Sequence, residues 1–382
     1  MWPAPLLVFG AATIGLVGWS GDVRMLPAAM MFPLLWARSP SRLIAALVSA
    51  SYFLAASRGL PEGVSTYYAT VPWHGVLLWG AASLVFVATH SILWTRSGQW
   101  QQTGRYLLAS LLMVAPPLGI VGWAHPVTAA GVLFPGGGWW GLGAAVLALA
   151  AMTTRRWLPA ALILSSLWLL SVAEWKNPTT PSGWAGLDLE YGQRLGRDIG
   201  LEHHRELIEK AGAAAAKGAR IVLLPENAIG QWTPTVARLW RNETKRIGVK
   251  VMAGATIPDG PGYDNAIMVT SGNPATLYRQ RMPVPLSMWQ PWRVWSDGGG
   301  ARAHFLANPI VEVDGMLVAP LLCYEQLLVW PIVQSMLGSP DVVVAMANVW
   351  WADRTSIVPI QKASTIAWAK LFSKPVVMAF NR

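Results

Sequence analysis

Residues 1–175 carry only eight Lys/Arg and three Asp/Glu, and they hold a series of long apolar runs. The chain has 29 Lys/Arg and 19 Asp/Glu in all, so 21 and 16 of these fall in residues 176–382. A stretch so poor in charge favours a lipid environment, whereas the remainder has the balance of a water-facing domain. The apolar runs predict seven membrane spans at about 3–20, 22–37, 43–57, 73–94, 106–124, 137–154 and 157–174. Each approaches the ~20 residues that cross about 30 Å of hydrocarbon, the second and third being short. Gly136-Gly137-Gly138 marks a loop or a helix entry, and Pro116-Pro117 is expected to kink the fifth span.

The basic residues that flank the spans set an orientation. Arg38 and Arg42, then Arg96 and Arg105, then Arg155 and Arg156 lie in alternate loops, which can all be cytoplasmic. The N-terminus is then cytoplasmic, and the seventh span delivers residues 176–382 to the outside, the periplasm of a bacterium. The first span lacks a basic leader and a small-residue cleavage site, so it is expected to be retained.

Composition agrees with this division. Hydrophobic residues make up 53%, charged residues 13%, and the mean hydropathy is +0.38. The net charge of +10 forms no basic block with interleaved aromatics, which argues against nucleic acid and for charges that orient the membrane segment. The 23 tryptophans suit a membrane protein, and Trp36, Trp73, Trp94, Trp123 and Trp157 fall near the expected span ends. One cysteine excludes an internal disulfide. No His/Cys/Asp spacing suggests a metal, and there is no phosphate-binding loop or dinucleotide fingerprint, so no cofactor is expected.

Residues 177–183 form a polar linker, and 177–382 are expected to make the second domain, with 1–176 as the first. Residues 199–217 read as an amphipathic helix with Leu201, Leu207, Ile208 and Ala211 on one face. His203 and His204 are expected at its solvated surface. Strands are expected at 220–225, 249–257, 265–270, 309–313, 316–322, 341–346 and 375–380, with a helix at 357–373. This alternation predicts a layered α/β domain.

Two residues in that domain suggest chemistry. Cys323 ends the apolar run Leu321-Leu322-Cys323-Tyr324-Glu325, and Glu226 ends Ile221-Val222-Leu223-Leu224-Pro225-Glu226. A thiol and a carboxylate at the tips of two buried strands fit a nucleophile and its general base. The plainer alternatives are a small buried hydrophobe for Cys323 and a solvated strand end for Glu226. Glu325 has a structural ion pair as its alternative.

Leu-Pro-Glu226-Asn, a Tyr278-centred segment and Cys323-Tyr-Glu325, in that order, resemble the nitrilase (carbon-nitrogen hydrolase) superfamily. A membrane half followed by an outward catalytic half resembles its apolipoprotein N-acyltransferase branch, and within that branch the members that serve conjugal plasmid transfer. Trp184-Ala-Gly-Leu-Asp188 is similar to the first catalytic strand of the branch, and Asn348, Trp351 and Gln361 match its pattern after the nucleophile. The resemblance implies an αββα sandwich and a Cys-Glu-Lys triad. Glu226 would take the thiol proton, Cys323 would attack an ester or amide carbonyl to give a thioester, and the Tyr324 N–H would help hold the oxyanion. Glu325 would lie on the same side of an extended strand as Cys323 and orient groups in the site.

The segment Tyr278-Arg279-Gln280-Arg281-Met282-Pro283 departs from the branch pattern, because Gln280 stands where the lysine is expected. Arg279 and Arg281 are adjacent cations, and a loop could redirect Arg281 to serve in its stead. Met288 stands at an acidic position of the branch; with Trp289 and Trp292 it suggests either an acyl-chain groove or membrane contact. Asn348 and Trp351 are further substrate-binding candidates. The sequence stops at Asn381-Arg382, where the family usually adds a final hairpin, which predicts an exposed sheet edge.

The expected function is an inner-membrane thiol acyltransferase or amidase-like enzyme. Its acyl donor would be a membrane lipid, its acceptor an amine on a protein or lipoprotein, and its wider partner a conjugation apparatus. The alternative is a catalytically weakened nitrilase-fold membrane factor that assists assembly of that apparatus; hydrolysis of a small amide or nitrile is a weaker third.

Overall fold

The computed structural model describes residues 2–196, 200–270, 275–296 and 298–382. Its contacts define two units. One comprises Met1–Pro178, Leu327–Trp330 and Ala352–Ser373; the other comprises Thr179–Gln326, Pro331–Trp351 and Lys374–Arg382. The boundary expected at 176/177 is close to the crossover at 178/179. Unlike the sequence division, however, the first unit also takes in the helix Ile357–Leu371. Within that unit the helix packs against Ala130–Leu133 so closely that a Cβ built at Gly131 would overlap the Ala367 carbonyl oxygen.

The first unit is helical, but it differs from seven regular spans. Among the described residues only Pro72–Leu93 is long and apolar enough to cross a bilayer by itself. Arg42–Ala56 and Leu60–Tyr68 pass as a pair bent by 56°. The apolar helices Ala4–Gly18, Gly138–Met152 and Trp157–Ala173 have 15, 15 and 17 residues. At a rise of 1.5 Å per residue they reach only about 22–26 Å. The expected span at 22–37 is divided instead into a 3-10 segment Val23–Met31, with Pro27 inside it, and the helix Phe32–Arg38. The expected span at 106–124 is also absent as one helix: Gln99–Leu112 ends before Pro116-Pro117. Proline removes a helical donor and obstructs the preceding turn, which accounts for both breaks.

The expectation for tryptophan also changes. Trp36, Trp94 and Trp123 are buried rather than placed at an outer rim. Trp36 Nε1 donates to the His90 carbonyl at 2.9 Å, and Trp123 packs edge-on to Phe53. Outward-facing apolar residues are nevertheless plentiful, with Leu77, Leu84 and Ile92 exposed on Pro72–Leu93 and Leu162, Ile163 and Leu169 on Trp157–Ala173.

The second unit is built on two sheets. One contains β1 (Trp184–Gly186), β2 (Ile221–Leu223), β3 (Gly230–Gln231), β4 (Lys250–Asp259), β5 (Gly262–Val269) and β6 (Ala275–Arg279). Its order is β1-β2-β4-β5-β6, with β3 alongside β4. The other contains β7 (Val311–Val313), β8 (Met316–Leu322), β9 (Val342–Asn348) and β10 (Val376–Asn381), in the order β10-β9-β8-β7. β1, β2 and β4 are parallel, as are β8, β9 and β10, whereas β4-β5-β6 and β7-β8 are antiparallel. The two parallel sets supply the near-continuous apolar runs visible in the sequence, since strands covered on both faces need no polar alternation.

Ile221, Leu223, Met252, Ile267 and Tyr278 of the first sheet share one core with Val318, Leu322, Val344, Met346 and Val377 of the second. The opposite face of the first sheet is covered by Leu201–Ala216 and Pro234–Ile247, through Leu207, Ile208, Ala211 and Trp240 against Val222, Val251 and Ala253. Residue 199, where the first helix was expected to start, lies outside the described residues. His204 is not at a solvated surface; it is buried, and its Nδ1 accepts from Trp240 Nε1 at 3.1 Å.

The exposed edge expected at β10 is also corrected. The chain near residues 179–192 runs along that strand: Val376 N donates to the Thr179 carbonyl, Leu189 N to the Phe380 carbonyl, and Arg382 N to the Leu189 carbonyl. Asp188 Oδ1 accepts from Phe380 N, and Asn381 Oδ1 from Tyr191 N. The linker end and the start of the domain thus satisfy groups that a following strand would otherwise pair.

Candidate active site

Cys323 stands where β8 gives way to the 3-10 segment Cys323–Leu327, and its φ is 53°. A residue with a Cβ seldom occupies this left-handed region, so the position is a sharp elbow held by its surroundings. The elbow corrects one expectation: Glu325 does not share an extended strand with Cys323, because β8 ends at Leu322. Glu226 lies on the turn after β2, followed by Asn227 at φ 57°, a conformation that asparagine tolerates well.

The two ends meet. Glu226 hydrogen-bonds the Cys323 thiol, and the backbone N–H groups of Tyr324 and Asn348 also face the sulfur. Glu226 Oε1 accepts from Asn265 Nδ2 at 2.6 Å, and its Oε2 from Asn348 N at 2.9 Å. Burial, then the Glu226 carboxylate, pushes the Cys323 thiol well above its usual range. Burial likewise pushes the Glu226 carboxyl up, against its hydrogen bonds from Cys323, Asn348 and Asn265. The resting arrangement at neutral pH is therefore a neutral thiol facing the Glu226 carboxyl group, with the Tyr324 N–H placed to receive negative charge on sulfur or on an adjoining carbonyl oxygen, while the Asn348 N–H is committed to Glu226 Oε2.

Gln280 occupies the expected lysine position and is fully buried. Its Nε2 donates to the Leu322 carbonyl at 3.0 Å, one residue before Cys323, and its Oε1 accepts from Asn265 Nδ2 at 3.0 Å. Arg281 does not stand in for the lysine. Its guanidinium turns to Tyr278 Oη, Gln334 Oε1, Ser335 Oγ and the Pro320 carbonyl, at 2.9–3.1 Å. Glu325 is the buried counter-charge to that group: it accepts from Tyr278 Oη and from the backbone N–H groups of Arg281, Met282 and Leu322. Glu325 thus ties the segment after β6 to the Cys323 elbow. Burial raises its carboxyl, and the Arg281 charge offsets part of that.

The remaining candidates are placed differently. Asn348 reaches Glu226 through its backbone, while its side chain accepts from Asn381 Nδ2 at 2.8 Å. Trp351 is half-buried in Trp350–Ala352. Met288 and Trp289 are half-buried in the loop after β6; both backbone N–H groups bond the Val284 carbonyl, and Trp289 packs edge-on to Phe305. Trp292 is exposed. Gln361 is buried in Ile357–Leu371.

Two residues that sequence reasoning passed over hold Glu226 in place. Asn265 follows an acidic residue in an ordinary strand, with no periodic signal to mark it. Gly254 lies on β4 directly beneath the turn: a Cβ there would stand 2.5 Å from Glu226 Cα and 2.4 Å from Asn227 N. Gly254→Ala is expected to displace Glu226 and destabilise the chain by about 1–3 kcal/mol, with slower alkylation of Cys323. Thermal unfolding and iodoacetamide kinetics check this; an unchanged rate would show that the turn adapts without moving the carboxylate.

The site is thus a buried thiol at a left-handed elbow, paired with a carboxylate from the facing sheet. The chain belongs to the carbon-nitrogen hydrolase family of the nitrilase superfamily, whose sequence model matches residues 54–370. Its relatives include the conjugal transfer protein TraB of Agrobacterium fabrum, 56% identical across 100% of this chain and 93% of that protein. A second, described as a probable conjugal transfer protein TraB, is from Sinorhizobium fredii; it is 52% identical across 98% of this chain and 97% of its own length. Among solved structures, a variant of a nitrilase-superfamily amidase from Nesterenkonia aligns over 53% of this chain and 78% of its own, with 14% identity and a TM-score of 0.39.

Proposed function

We propose that this protein is a membrane-attached thiol acyltransferase or amidase-like enzyme that serves conjugal plasmid transfer. The observation that carries this reading is the Cys323 thiol on Glu226, flanked by the N–H groups of Tyr324 and Asn348. Glu226 takes the thiol proton as sulfur attacks an ester or amide carbonyl. The carbonyl oxygen gains negative charge beside the Tyr324 N–H, and collapse expels the alcohol or amine with a proton returned from Glu226, leaving a thioester. An amine, or water, then releases the acyl group from Cys323.

Membrane attachment rests on Pro72–Leu93 and on the exposed apolar residues of the first unit. The alternate basic loops favour a multi-pass inner-membrane protein with residues 177–382 on the periplasmic side. A donor held in lipid and an amine acceptor on a protein or lipoprotein then meet at one thiol. The link to a conjugation apparatus rests on the relatives named for conjugal transfer.

Intact-mass measurement of the full chain after incubation with phospholipid vesicles tests the chemistry. An added acyl mass is expected on the wild type and absent from Cys323→Ala, because this is the chain's single cysteine. Equal masses on both would refute the thioester. A second reading, a weakened fold retained as an assembly factor, is favoured by the amide at Gln280 and the commitment of the Arg281 guanidinium to Tyr278, Ser335 and the Pro320 carbonyl. It predicts that Cys323→Ala leaves conjugation frequency unchanged.

A further inference from the structure

We infer that Asn265 is the positioning residue for Glu226, holding it through one amide nitrogen shared with Gln280. Asn265 Nδ2 has two hydrogens and two acceptors, Glu226 Oε1 at 2.6 Å and Gln280 Oε1 at 3.0 Å. The neighbouring bonds fix which way each amide points. Gln280 Nε2 donates to the Leu322 carbonyl at 3.0 Å, so turning that amide over would set oxygen against oxygen there and nitrogen against nitrogen at Asn265. Turning Asn265 over would place its oxygen between two acceptors. Gln280 N also donates to the Asn265 carbonyl at 2.8 Å, so the backbone holds the pair together. Asn265 and Gln280 are both buried, which keeps water from competing.

The result is an unbroken path from the base to the residue before the nucleophile: Glu226, Asn265, Gln280, then the Leu322 carbonyl. Asn348 N occupies the other carboxylate oxygen, which leaves Glu226 one aim, toward the Cys323 sulfur. Neutral donors do this work, while the Arg281 charge is spent on Glu325 and its neighbours. A donor to a carboxylate is favoured when the acid is ionised, so losing Asn265 must make Glu226 harder to ionise.

This inference rests on Glu226 as the base, yet its test needs no turnover. The infrared carbonyl band of protonated Glu226, assigned by its loss in Glu226→Gln, is titrated in the full chain in detergent. Asn265→Ala is expected to raise the midpoint of that titration by ~1–2 pH units. Gln280→Lys added to Asn265→Ala is expected to bring it back down, because a cation replaces the missing donor. An unmoved midpoint in folded Asn265→Ala overturns the inference. Should that variant not fold, Asn265→Ser, whose hydroxyl has one proton for two acceptors, is held to the same criterion. Failure of Cys323 to gain an acyl mass would remove the proposed reaction, whereas the titration would still decide what Asn265 does.

Discussion

Gln280→Lys is expected to move the pH profile of Cys323 alkylation toward acid by ~1–3 units. At pH 7 that corresponds to a rate increase of about tenfold or more. The argument follows from the charges around the thiol. Burial and the Glu226 carboxylate both hold the thiol above its usual range. For an acid whose pKa is raised, the reactive anion appears only as pH climbs through the raised value, so wild-type alkylation should require alkaline solution. An ammonium at position 280, beside Asn265 and the Leu322 carbonyl, would favour both thiolate and carboxylate. The measurement is iodoacetamide modification from pH 5 to 10, followed by intact mass, with Cys323 as the one reporter. An unchanged profile would mean that Glu226 and burial, rather than the absent cation, set the thiol's resistance.

Arg281→Met is expected to lower stability by about 3–5 kcal/mol, the cost of leaving a buried charge without its partner. Arg281 and Glu325 are both fully buried, whereas ion pairs between exposed side chains contribute about 0–1 kcal/mol. The loss should shrink as pH falls. Glu325 has a raised carboxyl even with Arg281 present, and without that cation it rises further, so protonation in acid removes the unpaired charge. The double variant Arg281→Met/Glu325→Gln should recover part of the loss at neutral pH. Thermal midpoints of the three proteins between pH 4 and 8 check this. A cost below about 1 kcal/mol for the single variant would place Arg281 among weak surface-like pairs instead.

Much of the second unit was legible because its strands are buried on both faces and read as apolar runs. β2, β4, β8, β9 and β10 lie within a few residues of their expected positions. β6 and the helix Pro234–Ile247 were not foreseen. The former is short and polar at its end; the latter is rich in charge, and its burial rests largely on Trp240. Glu325 was misplaced for a different reason. A strand pattern extended past Leu322 is locally reasonable, and only the packing that holds Cys323 at positive φ ends it there.

The first unit shows the same limit. Its low charge was plain, but Pro27 and Pro116-Pro117 divide the runs that hydropathy joins, because hydropathy counts side chains while a helix depends on backbone donors.

What the sequence determined by itself was the division into a charge-poor half and an α/β half, and the choice of Cys323 and Glu226 as the thiol and carboxylate that end two apolar strands, since both follow from local composition and order. What only the tertiary structure decided was their surroundings. Gln280 and Arg281 are neighbours in the chain, yet one bonds the Leu322 carbonyl beside Cys323 and the other serves Glu325. Asn265 and Gly254 acquire meaning only where the turn after β2 comes down on β4 and β5. Such roles depend on distances of a few ångström between residues far apart in sequence, and no periodicity along the chain records them.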